Sequence, residues 1–277
     1  MKKILLPTDC SELGEYAYEI AHKIARQTEA TIDVLSIVPA PAAAIFDTDG
    51  NLKSDEGEDY SEIYSEKDNL QDRIEKWATK KEDIDSVAVR IGPIDESIVR
   101  HAQYVDADLI VMGTAGAHGI DEILRRSHTA HVVRTSPIPV LCLKCDRSGM
   151  LIKNIVLVSD FAKVEELDLT VLKTIQRAFG AKLHLLKVNT PKQFETDRKV
   201  KWNMDNFVEL NELENVSFHL YSDETVEAGI VNFSTENQID IVALGTHQRG
   251  GIGRMFKHGV SEEVVNHVMQ PILTFPV

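Results

Sequence analysis

The chain has 277 residues, 43% of them apolar and 27% charged, a balance that excludes disordered, collagen-like and fibrous classes and leaves room for one large domain or two ordinary ones. Thirty Lys and Arg stand against 44 Asp and Glu, a net charge of −14. Nucleic acid and anionic membranes are therefore not expected as partners, since either would need a local basic patch. No apolar run reaches the ~18–20 residues of a membrane helix. The opening MKKILLPTDCSE meets Pro7 and Asp9 before a signal core can form. The three cysteines, Cys10, Cys142 and Cys145, are too few for a disulfide framework and fit a reducing, cytoplasmic location.

In chain order, Ile4–Leu6, Ile32–Val38, Ser86–Ile91, Leu109–Met112 and Val140–Leu143 read as strands, most of them nearly unbroken Val/Ile/Leu runs. Such runs are buried on both faces, as in a parallel sheet. Between the first two, Glu12–Gln27 sets Leu13, Ala17, Ile20, Ala21 and Ile24 three or four apart on one helical face. Pro39–Glu66 is acidic and rich in Ala, Asp and Ser, the composition of a solvated loop, and Ile63–Lys80 is the following helix. Glu96–Tyr104 and Ser127–Arg134 give two more helices, the last stopping before Pro137. The alternation predicts an α/β, doubly wound, parallel five-stranded sheet with right-handed crossovers.

The same pattern is written twice. KKILLPTDCSE recurs as KNIVLVSDFAK and TIDVLSIV as KLHLLKVN, both at an offset of 151. DADLIVMGTAGAHGI recurs as QIDIVALGTHQRGGI and PIPVLCL as QPILTFP, at an offset of 132. The second copy is thus 19 residues shorter (151 less 132), all lost between its second and third strands. Two homologous domains follow, 1–147 and 148–277, meeting near Arg147-Ser148-Gly149.

Open parallel sheets bind ligands outside the carboxyl ends of the strands, where the strand order reverses. In the first copy Pro7-Thr8-Asp9, Ile37-Val38 and Gly113-Thr114-Ala115-Gly116 leave strand ends there. An acceptor carboxylate beside an apolar wall suits a nucleobase with an exocyclic amine. Glycines let backbone amides approach phosphate, and the helix opening near Ser127 points its amides the same way.

PTD followed by Cys-Ser-Glu, the MGTAGAHGI stretch and the closing PIPVLCLK resemble the universal stress protein family, and the resemblance runs through both copies. It implies a flavodoxin-like (Rossmann-like) domain with strand order 3-2-1-4-5 that pairs through strand 5. It also implies, for nucleotide-binding members, ATP held by the Asp after strand 1, an aliphatic residue ending strand 2 and a Gly-2x-Gly-9x-Gly-Ser/Thr loop. By that correspondence the first copy supplies Asp9, Ile37, Gly92, Gly113, Gly116 and Ser127, with Arg126 in place of the third glycine. Arg126 would either fill the phosphate space or pair with a phosphate. The second copy keeps Asp160, Val188 and Gly245, but has Gln248 and His258 for the second and third glycines, Gly259 for the Ser/Thr and Glu224 for Gly92. A glutamate there repels phosphate, so this second site is degenerate. Magnesium accompanying a nucleotide is the one metal implied.

Plainer roles stand beside these. Asp9, Asp160 and Ser127 serve equally as turn and helix caps, and Gly113 and Gly245 as turn residues. Cys142-x-x-Cys145 lies partly in strand 5, where the spacing aims the side chains poorly for zinc or redox chemistry. His128 and His131, near His118, have no carboxylate at a recognised ligand spacing. No nucleophile is tied to a base, so at most a weak ATPase is implied. The expectation is a stress-response protein that binds ATP or a related anion in the first domain. The alternative is a ligand-free interaction scaffold with both sites decayed. In either case the two copies are expected to pair strand 5 to strand 5 within one chain; tandem chains of the family can pair again into homodimers, and the protein partner is unknown.

Overall fold

The computed structural model describes residues 1–40, 44, 52, 59–114, 128–162, 165–246 and 268–277. The first copy runs β1 (Lys3–Pro7), α1 (Glu12–Thr28), β2 (Thr31–Pro39), α2 (Ser61–Ala78), β3 (Ile84–Gly92), α3 (Ile94–Tyr104), β4 (Leu109–Gly113), α4 (His128–Thr135) and β5 (Val140–Leu143). The second runs β6 (Asn154–Val158), α5 (Thr170–Phe179), β7 (Lys182–Asn189), α6 (Asp197–Leu210), β8 (Val216–Ser222), α7 (Val226–Glu236), β9 (Ile241–Thr246) and β10 (Ile272–Pro276). Among these residues no helix is long and apolar enough to cross a membrane.

The strands form one continuous sheet in the order β3-β2-β1-β4-β5-β10-β9-β6-β7-β8. Each copy contributes the 3-2-1-4-5 arrangement, with strands parallel inside it. β5 meets β10 antiparallel, with Leu141 opposite Leu273. The Thr274 hydroxyl donates to the Val140 carbonyl at 3.2 Å, and Lys144 and Arg147 donate to the carbonyls of Val268 (3.3 Å) and Met269 (2.8 Å). Lys23 of α1 donates to the Ser148 and Met150 carbonyls at 2.7 and 2.6 Å, which ties the connecting segment to the first copy.

The core reflects the apolar runs directly. Ile4, Leu5, Leu6, Leu109, Ile110 and Val111 are fully buried, as are Ile155, Val156, Leu157, Ile241, Val242 and Ala243 in the second copy. At the amino edge of the sheet each copy repeats one backbone device. Asp108 accepts from the Lys2 and Lys3 amides (2.5 and 3.0 Å), and Asp240 from those of Lys153 and Asn154 (2.7 and 2.8 Å). A cavity of about 500 Å³ lies at this amino edge, lined by Arg147, Met150, Lys153 and Asp240 among others, on the side away from the carboxyl strand ends.

The first helix differs between copies. Ser11 caps α1 by accepting from the Gly14 amide. A Cβ on Gly14 would lie 2.1 Å from the Thr8 hydroxyl oxygen, and Glu165 occupies the matching position. The helix of the second copy accordingly starts only at Thr170, and Asn211 serves the irregular segment before it by donating to the Glu165 carbonyl (3.1 Å) and accepting from the Leu167 amide (2.8 Å). At their other ends both helices finish in a left-handed residue, Glu29 (φ 55°) and Gly180 (φ 61°). A side chain in that conformation costs about 1 kcal/mol that glycine avoids. Glu29→Gly is expected to raise stability by about 1 kcal/mol and Gly180→Glu to lower it similarly, read from urea midpoints at constant m-value.

Beneath α7, His184 is buried against Phe233, and burial, reinforced by His219 and Lys182, pushes its imidazole down to about 4. Unfolded, the same imidazole titrates near 6.5. The unfolded chain therefore takes up the proton first, so this contribution is complete above about pH 6.5 and is lost as pH falls toward 4. In metal-free buffer, the protection factors of the β8 amides, each taken relative to intrinsic exchange at the same pH, are expected to fall as pH falls across that window, and His184→Gln to flatten the dependence.

Candidate functional site

The order of the first half-sheet reverses between β1 and β4, the place where sheets of this kind bind ligands, and Asp9 and Gly113 stand at their carboxyl ends. The loop leaving β1 is fixed by its neighbours. The Thr8 amide donates to the Leu35 carbonyl at 2.9 Å, and the Ser36 hydroxyl donates to the Thr8 carbonyl. Cys10 takes a left-handed turn (φ 63°), its amide on the Thr8 hydroxyl at 3.0 Å, and the Ser11 amide donates to Asp9 Oδ1 at 2.9 Å. Asp9 stays exposed there. Burial alone would raise its carboxyl, but hydrogen bonds from the Ser11 hydroxyl and amide, with the Arg73 guanidinium of α2 beyond, outweigh it and hold the carboxyl below its usual range. Burial raises the Cys10 thiol, although Arg73 beside it opposes this; such a thiol is not a reactive thiolate.

Ile37 is half-buried one turn of the pleat before the end of β2, and Gly92 closes β3 with its carbonyl accepting from the Ala40 amide at 3.3 Å. The structure thus brings Pro7, Thr8, Asp9, Ile37, Gly92 and Gly113 to one edge of the sheet. Gly116, Arg126 and Ser127 lie outside the described residues, as do Gln248, His258 and Gly259 of the second copy.

Gly113 has a packing reason that the sequence did not disclose. A Cβ there would stand 2.5 Å from the Leu13 carbonyl oxygen and 2.9 Å from its carbon. The first turn of α1 rests on the strand end, so the glycine permits close approach of two backbones and is more than a turn residue. Gly113→Ala is expected to destabilise the protein by about 1–3 kcal/mol through this backbone clash. Gly149→Ala, with nothing within 4 Å, is expected to stay within about 0.5 kcal/mol of the parent; urea denaturation of both variants measures the contrast.

The second copy keeps the turn and alters everything around it. The Ser159 amide donates to the Leu186 carbonyl (3.2 Å), the Phe161 amide to the Ser159 hydroxyl (3.0 Å) and the Ala162 amide to Asp160 Oδ1 (2.9 Å). In place of Cys10 stands Phe161, 1% exposed and edge-on to Phe207 of α6, with ring centroids 5.2 Å apart. In place of Ser36 stands Lys187, buried and 3.4 Å from Glu195, which also pairs with Lys199 at 2.6 Å. Asn189 binds the backbone of Glu195 in both directions, at 2.9 and 3.2 Å, and so ties the loop after β7 back over the strand ends. Val188, matched to Ile37, is buried against Gly229 of α7, whose missing side chain admits it. Gly245 pairs with Phe275 in the sheet.

Two features escaped the sequence. Arg73 reaches Asp9 and Cys10 from a helix far along the chain; no local pattern marks such an approach. The second is a carboxylate facing His128 and His131: Asp95 at the start of α3 lies 3.8 and 3.3 Å from them and joins α3 to α4. It escaped notice because its spacing in sequence matches no ligand motif. Among the described residues no group of three or more His, Cys, Asp or Glu is arranged to hold a metal ion. Cys142 is buried in β5, its thiol pushed up to about 12, and neither it nor Cys145 is in a disulfide.

Two doubly wound halves, each with its own strand-order reversal, define a tandem α/β protein with flavodoxin-like units. The sequence profile of the universal stress protein family matches residues 1–144 and again 152–276, and the chain belongs to that family. It is 32% identical over 149 residues to a universal stress protein of Methanocaldococcus jannaschii, covering 52% of this chain and 82% of the relative. Its fold is that of a universal stress protein from Archaeoglobus fulgidus DSM 4304, with a TM-score of 0.72 at 21% identity and 99% and 96% of the two chains covered. A universal stress protein solved in complex with cAMP is 22% identical over 51% of this chain and 96% of its own, with a TM-score of 0.36.

Proposed function

We propose that this protein is a stress-response module that binds ATP or a related nucleotide in the crevice of its first copy. The second copy acts as a structural partner whose cleft is filled by its own side chains. One contrast carries the reading. At the first copy's strand ends Asp9 is exposed and Cys10 and Ile37 half-buried, whereas at the matching places of the second Asp160 is half-buried and Phe161 and Val188 are buried. The first copy offers a base-edge acceptor, an apolar wall and a cation, Arg73, on one side of the crevice. Bound nucleotide would change a surface at the strand ends that a protein partner reads.

A second reading is favoured by one observation: Asp9 and Asp160 make the same turn hydrogen bond (both 2.9 Å), so Asp9 has a structural use without a ligand. In that reading the protein is an interaction scaffold. Calorimetry of the full chain with MgATP separates the two. Under the first, ATP binds with one site per chain, Asp9→Ala weakens it at least tenfold, and Asp160→Ala leaves it unchanged. A hundredfold excess of ATP over Kd should also add about 2.7 kcal/mol of stability. Absence of heat and of any melting shift at millimolar ATP leaves the scaffold.

A further inference from the structure

At the amino edge of the second half-sheet, His184 of β7 and His219 and Ser217 of β8 converge. His184 Nδ1 lies 3.0 Å from His219 Nε2 and 3.3 Å from Ser217 Oγ, and Ser217 Oγ lies 3.0 Å from His219 Nε2. The three atoms form a nearly equilateral triangle. Hydrogen bonding accounts for it incompletely: in the neutral state at most two protons, from the Ser217 hydroxyl and from His219 Nε2, serve three short edges. The same triangle has the dimensions of one face of a metal coordination shell. A cation about 1 Å off its plane would lie about 2.0–2.1 Å from all three atoms, the usual zinc–nitrogen and zinc–oxygen distance.

Two further observations point the same way. His184 Nε2 lies 3.3 Å from Asn154 Oδ1. Donation of an Nε2 proton to that amide oxygen fixes the tautomer and leaves the Nδ1 lone pair aimed into the triangle, the arrangement of a metal-ligating histidine. The first copy, moreover, already keeps a cation here. Lys3 and Asp33 occupy the positions matching Asn154 and His184, and the Lys3 ammonium lies 2.9 Å from the Asp33 carboxylate, which is only 2% exposed. Where the second copy replaces that ion pair, imidazoles replace the carboxylate and the built-in ammonium is gone. Phe233 of α7 covers the rings (centroids 4.8 Å from His219, 6.3 Å from His184), and β8 is the outer strand, with His219 only half-buried. A water molecule from that side can complete the shell.

We propose that His184, His219 and Ser217 form a binding site for a borderline divalent cation of the zinc type, with Asn154 as a positioning residue. The two imidazoles carry the affinity and the hydroxyl contributes less. Both imidazoles are held below their ordinary range chiefly by burial, with Lys182 adding to this at each and His219 at His184. The exposed Lys182 ammonium, the nearby positive charge, opposes the bound cation and is screened by salt.

The test is a titration of the chelator-treated full chain with ZnCl2, followed by long-range proton–nitrogen correlation of the imidazoles. His184 Nδ1 and His219 Nε2 should shift together and saturate at one equivalent. By calorimetry Asn154→Leu should weaken that event about tenfold, and His219→Gln should weaken it further. His131→Gln, in the pair facing Asp95, should leave it unchanged. The proposal fails if neither imidazole shifts at millimolar zinc in the parent chain, which requires no variant to fold, or if His219→Gln binds as the parent does.

Discussion

The structure depends on satisfying one sheet edge. β5 is buried along its whole length, and as the last strand of the first half-sheet it would present a row of unpaired amides and carbonyls to solvent. β10 has the same problem in the second half. Their antiparallel pairing answers both at once and converts two five-stranded units into a single ten-stranded sheet. With the seam in place the remaining strands need only parallel neighbours, and each crossover helix covers a face that is already apolar.

On that shared frame the copies differ by exchanges at matched positions. Cys10 becomes Phe161, Ser36 becomes Lys187, Gly14 becomes Glu165 and Asp33 becomes His184. The first two bring an aromatic ring packed on Phe207 and an ion pair with Glu195 to the strand ends of the second copy. The third accompanies a first helix that is helical only from Thr170, and a Cβ on Gly14 in the first copy would collide with the Thr8 hydroxyl. The fourth replaces an ion pair at the far edge with a pair of imidazoles. None disturbs the turn after the first strand, where backbone amides donate to a hydroxyl and to an aspartate carboxylate in both halves.

What could be read from the sequence followed from how the information is written. Strands buried on both faces are spelled as unbroken Val/Ile/Leu runs, so the runs at 4–6, 109–112 and 140–143 located β1, β4 and β5 to within a residue or two, and the repeat offset carried the topology to the second half. β3 extended two residues earlier than its pattern suggested, since it is an outer strand with exposed Ser86 and Arg90 and a weaker apolar signal. Asp9, Ile37 and Gly113 were correctly placed at one edge because parallel strands carry their carboxyl ends together. Contacts between segments distant in the chain were not legible. Arg73 beside Asp9, Asp95 facing His128 and His131, and the Leu13 carbonyl under Gly113 each arise from helix docking, which leaves no mark in local spacing.

Covalent fusion of the two halves has an evolutionary corollary. In a symmetric dimer made from identical subunits, every mutation appears on both sides of the axis, and a change that closes one cleft closes the other. Joining the halves through Arg147–Leu151, with Lys23 gripping the connector, fixes their ratio at one to one while freeing each to drift. Selection can then hold one cleft open for a ligand while the sister half acquires chemistry that a homodimer could never try singly.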